Sequence, residues 1–356
     1  MKKKASWLSA TLVAMAVLCF SVSLVACASK DLVSLSGASK GRIYVGDRWG
    51  NSVPVPEPQE LLNALKAAKP VKDPGDVKPE TEADYVVTTE NGKIYYDSAG
   101  KYLAFVSSQG TRRVFQGDLS AALKSLASLL PPVFTPGIDD KELESWLPSL
   151  TRTANPVAMF FERGGKYFLV VCGGEVPTAG YSLELMGVVW GPAAGSNVNR
   201  ALLKFNLRPP AGDEAKVASY PYQAYTVSAK VPVEVEFEVP TGTGEKAARV
   251  PMASVGQNVI LFQPEAGSVL TERVRLVGKA RVWEATLMVE IEDGHDILGK
   301  KTVTASAGAP EWGDFDVWMD LKAPTNPFGS IIFTTSSPKD GSRVEELLVP
   351  VMFGGK

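Results

Sequence analysis

His295 stands in Glu292-Asp293-Gly294-His295-Asp296, where one imidazole among three carboxylates would suit either acid–base chemistry or a bound cation. The spacing argues for something simpler, because a calcium loop spreads its oxygen ligands over a longer run and Asp293-Gly294 is first a turn signal between strands. Asp314, Asp316 and Asp320 recur on one strand face, as either an acidic patch for a basic partner or a solvated row. Cys19, Cys27 and Cys172 are the three thiols and His295 the one histidine, too few N and S ligands for a structural zinc site. Cys172 lies within an apolar run and reads as an inert buried thiol. For nucleophilic catalysis neither a Gly-Xaa-Ser-Xaa-Gly elbow nor a cysteine with a plausible second histidine is expected, and there is no phosphate loop or dinucleotide fingerprint. No Asp/Glu pair stands out by spacing either. The expectation is a protein that is not an enzyme and uses no metal or cofactor.

The residues better suited to contact than to catalysis are Pro177-Thr178-Ala179-Gly180-Tyr181 and Tyr220-Pro221-Tyr222. Proline fixes φ, Gly180 admits φ > 0, and a tyrosine ring is flat and amphipathic, so each string makes either a rigid recognition loop or a packed sheet corner. The candidate protein-binding loops are therefore Pro177, Thr178, Gly180 and Tyr181 with Tyr220, Pro221 and Tyr222.

Composition limits the partners. The 356 residues carry 37 Lys plus Arg against 39 Asp plus Glu, a formal charge of -2, without the basic excess that phosphate backbones demand, so nucleic acid is not expected. At 45% hydrophobic and 21% charged the chain is apolar enough for two or three packed domains, and 32 Gly with 25 Pro point to a turn-rich β protein. Lys2, Lys3 and Lys4 precede an uncharged stretch from Ala5 to Ala26, which reads as an export signal. An uncleaved transmembrane anchor is the alternative, since about 20 apolar residues span a bilayer. Loss of residues 1–26 would leave Cys172 without a thiol partner for a disulfide, if Cys27 is modified.

The elements that must position the candidate residues follow from periodicity. Residues 27–80 read as tether or linker, interrupted by Pro54, Pro56, Pro58 and the Pro70 to Pro79 stretch, with a strand near Arg42 to Val45 and a short helix on Leu61, Leu62, Leu65 and Ala68. Residues 81–150 read as a small α+β module: strands around an Asn91-Gly92 turn, then a helix capped by Asp118 with Leu119, Leu123, Leu126 and Leu130 on one face. Tyr167 to Cys172 is a continuous apolar run of strand length, buried on both faces. Leu183 and Leu185, then Leu203, Phe205 and Leu207, then Val233, Val235 and Phe237 alternate with polar residues, as half-buried antiparallel strands do. Residues 160–240 thus form a β domain closed by Pro240 and a Thr241 to Gly244 linker. Seven runs between residues 258 and 352 have sandwich spacing, with Trp283, Phe315 and Phe333 expected to close the core.

Leu24-Val25-Ala26-Cys27 resembles the lipobox of bacterial lipoproteins, which implies a lipoprotein signal peptide over 1–26 and a lipid on Cys27. Residues 255–353 resemble the immunoglobulin-like domain of bacterial spore germination proteins. The residues carrying this are Pro264-Glu265-Ala266-Gly267, the run from Val277 to Ala285, Trp312-Gly313-Asp314-Phe315, Ser336-Ser337 and Asp340-Gly341, with Trp283 where the family usually has Phe. That resemblance implies an extracytoplasmic adhesion or assembly module. Residues 160–240 resemble the C-terminal domain of the PrcB-type lipoprotein through Gly165 to Val170, Gly174, Pro177 to Ser182 and Tyr220-Pro221-Tyr222, with Ala179 where Gly is common. This implies a component of a cell-surface protease complex. The Pro177 to Tyr181 string is also similar to a loop of chagasin-type peptidase inhibitors.

The reading is a mainly β protein with two β domains, the C-terminal one an immunoglobulin-like sandwich, preceded by a small α+β module. It would be exported and lipid-anchored at the cell envelope, on the outer face of the cytoplasmic membrane or at the outer membrane. There it would bind an envelope protein as an accessory or stabilising subunit of a protease or germination-related complex. The alternatives are a chagasin-like peptidase inhibitor and a cell-wall or carbohydrate binder using Trp190, Trp312 or Trp318.

Overall fold

Thr89 pairs with Gly92 across a two-residue turn, so the Asn91-Gly92 signal marks a hairpin. The computed structural model describes residues 31–39, 41–126, 130–193, 195–196, 198–212, 215–241, 244–337 and 339–354. The export signal, Cys19 and Cys27 lie outside the described residues. The chain divides into two units, up to Pro131 and from Pro132 onward.

In the first unit, helices α1 (Leu32–Ser36), α2 (Gln59–Ala67), α3 (Pro79–Glu82) and α4 (Ser120–Ser125) accompany a seven-stranded sheet. Its strands are β1 (Tyr44–Gly46), β2 (Ser52–Pro54), β3 (Lys69–Pro70), β4 (Tyr85–Thr89), β5 (Gly92–Asp97), β6 (Tyr102–Ser107) and β7 (Arg112–Gln116), in the order β2-β1-β4-β5-β6-β7-β3. The tether expected over 27–80 is corrected from Leu32 onward. Leu32, Ile43, Val45, Leu61 and Leu65 share one core with Val87, Ile94, Tyr96 and Phe115. Each piece is too short to show a period of its own, and Pro54 is tolerated because β2 is an edge strand. The helix after Asp118 is also shorter than expected. Asp118 accepts the Ser120 N–H (2.9 Å) and the Tyr96 hydroxyl (3.0 Å) and pairs with Lys101 (2.6 Å). That cluster, with the Lys101 contact foremost, holds its carboxyl well below the usual range.

The second unit takes the remainder of the expected α+β module, because helix α5 (Lys141–Leu150) packs here. Asp140 caps it by accepting the Leu143 N–H (2.9 Å), and Leu143, Leu147 and Leu150 form its buried face. The first strands are β8 (Phe134–Pro136), β9 (Val157–Arg163), β10 (Lys166–Cys172), β11 (Ser182–Pro192), β12 (Asn199–Arg208), β13 (Tyr222–Val227), β14 (Val233–Thr241), β15 (Gly244–Val250) and β16 (Met252–Val255). There follow β17 (Val259–Gln263), β18 (Val269–Leu270), β19 (Arg273–Ala280), β20 (Thr286–Glu292), β21 (Ile297–Thr304), β22 (Gly313–Asp320), β23 (Phe328–Ser336) and β24 (Arg343–Phe353).

One eight-stranded sheet, β22-β19-β17-β16-β9-β10-β13-β8, runs through both expected β domains. Strand β16 is the joint: Met252 and Ala253 pair parallel with Ala158 and Met159, and Ser254 and Val255 pair antiparallel with Leu261 and Ile260. The next residue, Gly256, is required by close approach, since a Cβ there would lie 2.1 Å from the Glu346 carbonyl oxygen. Where a linker was expected after Pro240, β15 pairs back antiparallel on β14, with Thr241 opposite Gly244. The two domains therefore share a sheet instead of being strung on a flexible joint. β10 is buried on both faces, as its unbroken apolar run requires. Phe168, Val170 and Cys172 meet α5, and on the opposite side Phe205 of the β11-β12-β14-β15 sheet packs on Tyr225 (6.2 Å). β12 and β14 run parallel, a correction to the all-antiparallel expectation, because β13 crosses to the larger sheet between them.

The C-terminal part is an immunoglobulin-like sandwich. The β18-β24-β23-β20-β21 sheet faces β17, β19 and β22 across a core of Leu261, Leu276, Val289, Phe315, Ile331 and Phe333, with Phe315 and Phe333 in ring contact at 5.7 Å. Trp283 does not join it. The residues from Trp283 to Ala285 make a 3-10 turn with φ of 55° at Glu284 and Ala285, so the strand starts at Thr286 and Trp283 is left 67% exposed.

Candidate functional site

The two candidate loops meet. Val176 bridges Ser219, the Ser219 hydroxyl donates to the Thr178 carbonyl (2.8 Å), and the Ala179 N–H donates to the Ala215 carbonyl (3.1 Å). Tyr220 donates its hydroxyl to Glu175 (2.8 Å) and lies under the Arg152 guanidinium (5.2 Å), while the Gly173 N–H donates to the Pro221 carbonyl (2.8 Å). The segments are thus tied at the Cys172 end of β10, with Gly180 left-handed at φ 83°. Pro177 and Tyr222 are exposed, whereas Thr178, Tyr181, Tyr220 and Pro221 are half-buried. The Pro177 to Tyr181 segment is no hairpin turn, since β10 and β11 belong to different sheets.

A second feature, at the other end of β9, has no counterpart in the sequence reading. A cavity of about 370 Å³ opens beside α5, walled by Leu143, Trp146, Phe161, Val255, Ile260 and Trp312. Trp146 meets Trp312 edge-on at 5.8 Å. It also lies between two guanidiniums, Arg281 at 4.0 Å and Arg163 at 4.5 Å, an arrangement favoured by the negative face of the indole. Arg163 bonds Asp140 (3.0 Å) and Glu142, and Arg281 approaches Glu142 at 3.6 Å. Trp312 Nε1 and Arg281 Nε are buried without a hydrogen-bond partner. The Asp140 cap and the Leu143, Leu147, Leu150 spacing could have revealed α5; nothing local could have revealed what it covers.

The other chemistry-bearing residues resolve into structural roles. Asp293, fully buried, accepts main-chain N–H groups from His295 (3.1 Å), Asp296 (2.8 Å), Thr325 (2.6 Å) and Asn326 (3.2 Å) and the Thr325 hydroxyl (2.8 Å). Those donors, the Asp296 N–H first, hold it well below the usual carboxylate range, and His295 points to no partner cluster of metal-binding type among the described residues. The acidic row of β22 is matched across the ladder: Asp314 to Lys279 (2.5 Å), Asp316 to Arg275 (2.5 Å) and Asp320 to Arg273 (3.3 Å). It is therefore no free patch for a basic partner. Burial pushes the Cys172 thiol up to about 12. Trp312 is 7% exposed and is removed from the set of surface aromatics, while Trp318 is 49% exposed.

Gly37-Ala38-Ser39-Lys40-Gly41 has Gly-x-Ser-x-Gly spacing, which corrects the expectation that the chain holds no such string. It follows helix α1, with Gly37 left-handed at its C-cap (φ 69°), and not a strand, so it lacks the strand-to-helix context of a nucleophile elbow. On the outer sheet of the sandwich, Val269 and Phe328 both pair with Met352, placing three exposed apolar side chains side by side.

Residues 258–342 match the family described as the immunoglobulin-like domain of bacterial spore germination. No curated protein matches the chain.

Proposed function

We propose that this is a non-enzymatic, exported protein, held at the membrane by a lipid on Cys27, that binds an envelope protein as an accessory or stabilising subunit of a protease or germination-related complex. The observation that carries the protein-binding reading is the tied pair of loops. Two segments some forty residues apart are cross-bonded through Val176, Thr178 and Ser219, so Pro177 and Tyr222 are presented with little conformational freedom to lose on binding. The sandwich matched to spore germination domains supports an assembly role, and the PrcB-type resemblance of residues 160–240 supports a protease complex. The charged start, the uncharged stretch to Ala26 and Cys27 itself support export and lipidation.

Crosslinking of the tagged protein in its native cells, followed by mass spectrometry, tests this reading. The expected result is one peptidase or germination protein, lost from a Cys27→Ala strain and reduced in a Pro177→Ala, Tyr222→Ser double variant. Recovery of wall fragments alone would move the reading to a wall binder. Stoichiometric inhibition of an isolated cysteine or serine peptidase would move it to an inhibitor, because a subunit acts only within its complex.

A further inference from the structure

The cavity beside α5 lies where the eight-stranded sheet forks. β9 has β10 along its whole length, from Arg163 paired with Lys166 to Val157 paired with Cys172. On its other edge it has only Met252 and Ala253 of β16, and the pairing stops at Met159. Beyond that point β16 turns to β17 through Ser254 and Val255, and the Gly256 N–H goes to the Val259 carbonyl (2.8 Å). Among the described residues no strand continues the ladder along Phe160 to Arg163 on this edge. The Ala158 N–H reaches the Pro251 carbonyl at 2.9 Å, so by the two-residue alternation of a strand the main-chain groups of Glu162 face the same open edge. Phe161, Glu162 and Arg163 line the cavity on this side, and Val255, Gly256 and Gln257 line it on the other.

Two independent features mark the slot as built for a ligand. The first is an apolar stretch of its wall, from Leu143 and Trp146 of α5 to Ile260 of β17, with room for a large side chain. The second is the open edge itself: the main-chain N–H and C=O of Glu162 face the slot beyond the last ladder pair at Met159, and a further strand would pair them.

We propose that this fork binds an extended peptide segment of a partner protein. The segment adds a strand beside Glu162 and seats one large apolar side chain against Leu143, Trp146 and Ile260. This is strand addition at an interior gap of a sheet rather than at its outer edge. The slot and the tied loops lie at opposite ends of β9, so either can fail without the other.

The test uses the full chain and a fluorescein-labelled heptapeptide, Thr-Lys-Val-Leu-Val-Lys-Thr, acetylated and amidated at its ends, read by fluorescence anisotropy. Saturable binding is expected. It should weaken at least about tenfold when the central peptide N–H is methylated, which removes ladder bonds, and equally when the central Leu is replaced by Ser. The Trp146 indole resonances should shift on binding, since that ring lines the slot. Glu162→Pro, which blocks the open edge, should abolish binding with an unchanged thermal melt. Absence of saturable binding overturns the proposal, as does equal binding of the methylated peptide. If Glu162→Pro does not fold, the methylated and Ser-substituted peptides decide.

Discussion

Trp146 meets Trp312 edge-on, with ring centroids 5.8 Å apart and planes at 68°, and this contact ties helix α5 to the loop that enters the last strand of the sandwich's first sheet. Because Trp146 also lies between the Arg163 and Arg281 guanidiniums, one side chain gathers the helix, β9 and the sandwich. Trp146→Ala should destabilise the second unit by roughly 2–4 kcal/mol, the range of a large aromatic truncation reduced for partial exposure. Trp146→Phe should cost less. Urea unfolding followed by circular dichroism checks this, and a loss below about 0.5 kcal/mol would mean that the cluster is surface decoration.

The shared sheet predicts that the sandwich does not stand alone cleanly. A fragment of residues 256–354 loses Ser254 and Val255 from the edge of β17 and α5 from above Ile260, Phe262 and Trp312. An open strand beside uncovered apolar surface promotes association. The fragment should sediment as oligomers at concentrations where a fragment of residues 132–354 is monomeric; two monomers would show that the joint is only a packing contact.

Lys279 is 2% exposed and its ammonium meets Asp314 at 2.5 Å. Removing one partner strands a buried charge, whereas replacing the lysine by an apolar side chain does not. Asp314→Ala should therefore cost about 2–4 kcal/mol, and Lys279→Met less than about 1 kcal/mol or nothing. Thermal denaturation of both variants decides; equal losses would contradict the burial argument.

Asp293 gives the sandwich an acid-sensitive point. Its folded carboxyl takes up a proton only well below the 3.8 of a free aspartate, so its contribution is complete above pH 3.8 and disappears as pH falls toward the lower folded value. The native chain should lose more stability between pH 5 and about pH 2 than an Asp293→Asn variant does. Urea midpoints across that range test it, and parallel curves would remove Asp293 from the acid response.

Cys172 should resist modification. It is fully buried and its thiol is pushed up to about 12, so thiolate is scarce and access requires opening of the sheet. Maleimide labelling at Cys172, read by peptide mapping, should be on the order of a hundredfold slower in buffer than in strong denaturant.

The sandwich was legible because β19 to β24 each run for seven or more residues, long enough for a period of two to show without knowledge of the partner strand. Phe315 and Phe333 were read correctly on that basis. Trp283 was not, because a run that looks continuous from Trp283 to Ile291 is interrupted by positive φ at Glu284 and Ala285, which no side-chain pattern records. Residues 32–70 were misread as a tether for a different reason. Ile43, Leu61 and Leu65 sit in short, proline-broken pieces whose apolar character acquires meaning only beside β4 and β5.

By itself the sequence determined what local periodicity and residue type can carry: mainly β architecture, a doubly buried β10, the immunoglobulin-like strands, a buried Cys172 and the Pro-, Gly- and Tyr-rich character of residues 177–181 and 220–222. Only the tertiary structure decided that the loops are bonded to each other, that β16 fuses two domains into one sheet, and that Trp146 and Trp312 wall a fork in it. Those relations join residues 40 to 170 positions apart, and a chain's local pattern encodes which face is apolar but not which distant face it meets.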